Sequence, residues 1–300
     1  MKYTLVVLIG FISFQSFTQN YFDILNVTYT NTTANDFEII DTQTTVKELA
    51  LELDFPIIIN DKTILLTGIF ANKTKLKLSS DMPYTNLNVL GLKVGVNKTL
   101  SDSWSSTFIV YSKFASDITK LSHEHLQVAI LSIFTNKKED NFKYKYGVYA
   151  NTEKYGLIVV PIFGLFYLSD NKKFEANLNL PINGDVNYKI NKKTWLGMRF
   201  DGLGTTYNLV DQNYGTKGAY VSKTSNELVS YFRYKLSKSI YINTKVGYAI
   251  SRNYKVFDSE DKIDLALSSF YFGDNRTQLN ERFKDGAIFK LELLYRLHFD

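Results

Sequence analysis

The sequence predicts an all-β protein, an antiparallel up-and-down transmembrane β-barrel of 12–14 strands. Three observations carry that prediction. Apolar and polar side chains alternate with a period of two along most of the chain. The alternating segments run roughly 10–14 residues, where soluble strands average ~5–6 and a membrane-crossing strand needs ~9–11. The connections between them alternate between short turns and long loops, the layout of a barrel with short turns at a periplasmic rim and longer loops at an extracellular one.

Taken from the N-terminus, Lys2 gives a positive start and Leu5 to Phe14 a short apolar run. Ser16-Phe17-Thr18 places small residues where signal peptidase inspects the chain. Residues 1–18 therefore read as a secretory signal peptide, too short in its apolar part for a helical span of roughly 20 residues. The mature chain is expected to start near Gln19. Residues 19–45 are polar and can supply a first strand within Tyr21 to Thr30 or a plug folded into the lumen. The barrel is expected over 46–300.

The strands follow from parity. Leu49, Leu51, Leu53 and Phe55 oppose Glu48, Ala50, Glu52 and Asp54. Phe142, Tyr144, Tyr146 and Val148 oppose Lys143, Lys145 and Gly147. From Phe174 to Ile190 the polar side chains fall on the odd positions without interruption. Ile242, Val246, Tyr248 and Ile250 oppose Tyr241, Asn243, Lys245 and Gly247. Ala287 to Phe299 closes the chain, with Lys290, Glu292, Arg296 and His298 on the other face. Side chains two apart share a face of a strand, so each set marks an apolar and a polar side.

Short connections lie at Asn60-Asp61-Lys62, Ser101-Asp102-Ser103, Asn136 to Asn141, Ser169 to Lys173, Asn191 to Lys193 and Ser237-Lys238-Ser239. Long ones lie at Ser79 to Asn86, Ala115 to Glu124, Asp211 to Thr224 and Tyr254 to Asp285. Setting all six short turns at one rim requires a reversal at Asn183-Gly184, a good hairpin dipeptide, and a strand within Tyr21 to Thr30. That gives 14 strands with both termini in the periplasm. A 174–190 segment that does not span fully gives 12.

Composition agrees with a barrel. Aromatic residues make up 15% of the chain, nearly all Tyr and Phe, which suits pleated half-buried surfaces. The mean hydropathy of −0.15 carries no helical membrane signal, as expected where lipid-facing and lumen-facing residues alternate. There is no cysteine, so thiolate chemistry and Cys-based metal sites are excluded. The net charge of +5 is spread over lysine pairs at turns (Lys137-Lys138, Lys172-Lys173, Lys192-Lys193). Nucleic-acid binding would need one concentrated basic face.

Turn-marked amphipathic strands, Leu180-Pro181 leading through Val186-Asn187-Tyr188 to Asn191, and a closing aromatic strand together resemble an outer-membrane β-barrel family of Bacteroidota known as a domain of unknown function. The resemblance covers about Phe37 to Phe299. It implies the fold and a location in the cell outer membrane, and carries over no catalytic or binding residue. The last strand also resembles the C-terminal signal read by barrel-assembly machinery, although Phe299 is followed by Asp300. That machinery and outer-membrane lipid are the partners expected.

Candidate chemistry is sparse. His123-Glu124-His125 offers two metal ligands, but zinc usually takes three or four from protein, and a solvated polar loop explains the trio as well. His298 falls on the inward parity beside Arg296, where a lumen hydrogen-bond network suits it better than a general base. A Ser–His hydrolase would have to recruit one of these three histidines, and none sits in a recognisable motif. No catalytic, cofactor or metal residue is assigned, and no enzyme is expected.

The inward parity collects Glu48, Glu52, Asp54, Lys143, Lys145, Glu175, Arg199, Asp201, Glu227, Arg233, Lys235, Lys245, Lys290, Glu292 and Arg296. A selective constriction would show one sign; this mixture predicts ion-paired ladders that brace or fill the lumen. Gly156 to Leu168 is apolar on both parities. Either its inner face packs on a plug or loop, or it offers an apolar patch to a lipid-like solute. The sequence thus predicts a narrow or filled-lumen passive channel for small solutes. The alternative is a non-conducting structural or surface-binding barrel using its long loops. A membrane-embedded hydrolase has less support.

Overall fold

The protein is seen in a computed structural model that describes residues 21–117, 122–210 and 218–298. The segment expected to be a signal peptide, Gln19, Phe299, Asp300 and parts of two long loops lie outside them. Among the described residues fourteen strands make the wall. They are β1 (Tyr21–Thr32), β2 (Lys47–Asn60), β3 (Thr63–Leu76), β4 (Thr85–Thr99), β5 (Trp104–Ser116), β6 (Leu126–Glu139) and β7 (Phe142–Glu153). The second half has β8 (Gly156–Leu168), β9 (Phe174–Leu180), β10 (Asn183–Lys189), β11 (Thr194–Leu209), β12 (Ala219–Lys235), β13 (Ile240–Asp258) and β14 (Gly286–His298).

Each strand pairs antiparallel with its sequence neighbours, and β14 pairs with β1 from Tyr21 opposite His298 to Thr32 opposite Ile288. Closure satisfies backbone groups that an open sheet would leave exposed at its edges. The expected fold is therefore present, with 14 strands. All six short turns lie at the rim that also holds Tyr21 and His298.

Parity places the faces as expected. On β14 Leu291 is 54% exposed and Glu292 only 6%. Leu49, Phe55, Tyr146, Val246, Tyr248 and Phe289 stand on the outer surface in the same way. An apolar exterior around a polar interior is the pattern of a wall that meets lipid.

One expectation is corrected and one open alternative is decided. The reversal within 174–190 is not at Asn183-Gly184: Asn179 pairs with Asn183 and Leu178 with Gly184, leaving Leu180-Pro181-Ile182 to make the turn. Partners across this hairpin share parity, so the alternation passes through the turn unbroken and could not reveal it. Of the two readings of the N-terminal segment, the first strand and not the plug describes residues 21–32. Tyr21–Thr32 is a wall strand held on both sides, by β14 and by β2. What folds over the mouth is the following segment, residues 33–46, where Asn35–Asp36 pairs with Gln43–Thr44 and Phe37 bridges to Phe283.

The wall is uneven. β9 and β10 have 7 residues each, below the ~9–11 of a full crossing. Beyond each other they pair only with Phe163–Leu168 of β8 and Trp195–Asp201 of β11. Above them Ile158 and Val159 of β8 pair in parallel with Ala266 and Leu267, from a small hairpin (Leu265–Leu267 with Phe270–Phe272) in the last long loop.

Candidate functional site

The lumen is the site, and it has two levels. At the long-loop end β11 leaves its place in the wall and crosses to β5, where Asn208 pairs in parallel with Ser116. The Val210 amide donates to the Asp117 carboxylate at 3.0 and 3.1 Å. This contact bypasses β6–β10 and draws β11–β14 and β1–β5 into a tighter ring. Its interior is apolar: Leu76, Leu87, Val89, Ala115, Tyr207, Leu209, Val221, Tyr254 and Val256 pack together, with Phe37, Val46 and Phe283 laid over them from the rim segments. Phe283 stacks on Tyr254 at 5.8 Å and meets Phe37 edge-on at 6.0 Å. We call this cluster the seal.

The other face of β11 is pinned to the tops of β6 and β7. The Thr206 amide and hydroxyl donate to Glu153 Oε2 at 2.7 and 2.5 Å. Gln127 Nε2 donates to the Thr206 carbonyl at 2.9 Å. Outside the ring Tyr155, Tyr220, Phe257, Ile263 and Ala266 form a second apolar cluster with Ile158 and Tyr271 against it. Arg276 lies over the rings of Phe257, Tyr155 and Tyr271 at 4.4, 5.0 and 5.4 Å, which fastens the last long loop to the rim. Its guanidinium donates to Asp274 and holds that carboxyl below the usual carboxylate range.

Below the seal the wall is charged and paired, as the mixed signs predicted. Lys245 Nζ lies 2.9 Å from Glu292, Lys223 Nζ 2.7 Å from Glu48, and Lys93 Nζ 2.6 Å from Glu52 with Asp54 beside it. Lys290 pairs with Glu227. Arg199 makes a two-toothed contact with Asp201. Arg296 pairs with Asp23 at 2.6 Å and lies 3.5 Å from the centre of the Tyr21 ring, near the short-turn rim. Asn243 carries Arg233, which donates to its Oδ1 at 2.9 Å. Low-dielectric surroundings strengthen such pairs, and each removes one charge from the path of a solute.

Glycine lets rings lie flat on this inner wall. A Cβ at Gly91 would overlap the Phe70 ring, and one at Gly197 the Tyr231 ring, whose hydroxyl donates to Asp185 at 2.7 Å. Aromatic bulk is thus laid flat across the inner wall.

The histidines stay apart. His123 and His125 sit in one short 3₁₀ turn at the long-loop rim. His298 lies at the opposite rim, 2.9 Å from the Tyr241 hydroxyl. Among the described residues no group of three or more His, Asp or Glu side chains is arranged to hold a metal. On β8 the inner residues Val160, Ile162 and Phe166 are all buried, and Ile158 packs on the last long loop. Packing, not an open apolar patch, accounts for that strand.

Parity reasoning found the charged lumen but missed the seal. Its signal was present: the inward parity turns apolar at the long-loop ends of strands, as at Leu87 and Val89, and at Tyr207 and Leu209.

A family profile matches residues 15–292. The chain belongs to the family described as Domain of unknown function (DUF6268). The match takes in the whole wall but for the last residues of β14. No curated protein matches the chain. Among solved structures it is similar to an outer membrane channel from Pseudomonas putida F1, at 10% identity and a TM-score of 0.48, covering 91% of this chain and 93% of that one. It is also similar to a Pseudomonas aeruginosa FadL homologue, at 11% identity and a TM-score of 0.41, covering 90% and 89%. A third similarity is to the KdgM porin, at 8% identity and a TM-score of 0.37, covering 91% and 99%.

Proposed function

We propose that this DUF6268 chain is an outer-membrane barrel for the passive, narrow passage of small solutes, open towards the periplasm and shut at its outer end in the state described. The seal carries the reading. A water-filled pore needs polar walls through its length, whereas here fourteen apolar side chains meet where the outer mouth would be. The lower lumen differs: the Glu52 side chain is 47% exposed and that of Arg199 36%, so water reaches it from the short-turn rim. The signal-like pattern of residues 1–18 supports export, and the apolar outer surface supports residence in lipid.

The same seal favours a second reading, a non-conducting barrel with a structural or surface-binding role. Planar-bilayer recording separates the two. The intact protein is expected to show no steady ohmic conductance. A double variant, Phe37→Ala with Phe283→Ala, removes two rings that cap the seal and is expected to give openings. Silence in both proteins would assign the structural role; a large steady conductance in the intact protein would overturn the seal itself.

A further inference from the structure

We propose that an apolar or amphiphilic solute passes between the lumen and the bilayer core through a lateral gap in the wall, between β8 and β11 above the short β9–β10 hairpin. This rests on the reading that the outer end is shut, and it names where a solute goes instead.

The gap is defined by backbone pairing. On the side away from β7, β8 pairs with β9 from Phe163 onward and with the loop hairpin at Ile158 and Val159. Residues 160–162 have no strand partner there. The side chains of Val160 and Ile162 that border this seam are packed, 8% and 1% exposed, so a solute must displace them to pass. The ring nitrogen of Pro161 falls on that side, because the two-residue turn at Lys154-Tyr155 sets the β7 hydrogen bonds on even-numbered β8 residues. Proline is tolerated in a strand where no ladder bond is asked of it. Across the gap, β11 loses its partner after Asp201, and the Gly202 amide donates to the Ile182 carbonyl at 2.8 Å, which marks the sill.

Space and chemistry agree with a passage. A Cβ added at Gly204 would meet nothing nearer than the Lys223 carbonyl at 4.0 Å, and Gly204 has no unusual φ. The frame is apolar and faces outward: Phe163 is 64% exposed and Phe270 on the loop hairpin 71%, with Leu180 and Leu267 between them. Ile162 lies six residues above the short-turn end of β8, about 15 Å for a ~3.3 Å rise and a ~40° tilt. That height falls within an apolar band of about 25 Å. An opening at that depth, framed by aromatic and aliphatic side chains, selects solutes that dissolve in lipid. The paired charges below it leave a polar entrance from the periplasm, which suits a molecule with one polar end.

The chain has no cysteine, so a single one can report access. In proteoliposomes Gly204→Cys is expected to react both with a water-soluble methanethiosulfonate and with pyrene maleimide dissolved in the bilayer. Leu291→Cys should react with the second alone, and Leu87→Cys, in the seal, with neither. Reaction of Gly204→Cys with only one reagent, or with none, overturns the gap. Should that variant not fold, the unmodified protein can be photolabelled with a bilayer-dissolved diazirine. Label on residues 202–206 is expected, and its confinement to outward-facing residues of the wall overturns the proposal. A silent barrel that fails these tests loses only the gap; a steady pore in planar bilayers removes the reading beneath it.

Discussion

Replacing Glu292 by glutamine is expected to destabilise the barrel by about 3–5 kcal/mol, the range for breaking a buried ion pair from one side. The Glu292 carboxylate accepts from Lys245 at 2.9 Å and from Asn26 at 3.2 Å, with Asn243 a third donor. An amide in its place keeps one acceptor and turns two N–H donors toward donors. Lys245, 5% exposed, is left charged without a counterion. Changing both partners together, Lys245→Met with Glu292→Leu, should recover most of the loss, because the penalty comes from the orphaned charge and not from the absent bond. Urea titration in lipid vesicles measures it. A cost under about 1 kcal/mol for the single change would mean that the pair is solvated as at a surface and that this level of the lumen is open water.

The adjacent residue gives the second large effect. Leu291→Arg puts a guanidinium against hydrocarbon near the middle of β14 and is expected to cost about 2–4 kcal/mol, and Leu51→Arg on β2 the same. Asn177→Ala, on the inner face, removes one hydrogen bond from Lys145 at 2.5 Å in a partly buried setting, which typically costs about 1 kcal/mol. The same vesicle titration compares them. Equal costs on both parities would describe a two-sided soluble core and not a wall in lipid.

Which residues face in and which face out was legible because one solvent is lipid and the other is not. Most strands repeat the choice seen at Leu291 and Glu292, so period-two counting recovered the wall and its ion-pair partners by type. What stayed hidden depends on contacts far apart in sequence. Nothing local at Asn208 announces a pairing with Ser116, and that pairing is what tightens the outer ring and gathers the seal. The turn at Pro181 was masked by a hairpin whose partners share parity. The sequence left residues 21–32 open between a first strand and a plug, because Asn26, Thr28 and Thr30 make the segment polar; they face the lumen, where Asn26 and Thr28 bond Glu292. The doubly apolar β8 is explained from outside itself, by the loop hairpin that covers Ile158.

The central claim is that β14 and its neighbours separate lipid from a polar lumen residue by residue. Single cysteines placed in turn from Ile288 to Leu297, in membranes, test it most directly with a bilayer-dissolved maleimide. The account predicts reaction at Phe289, Leu291, Leu293, Tyr295 and Leu297 and none at the positions between them, a strict period of two. Reaction on both parities, or on neither, would contradict it.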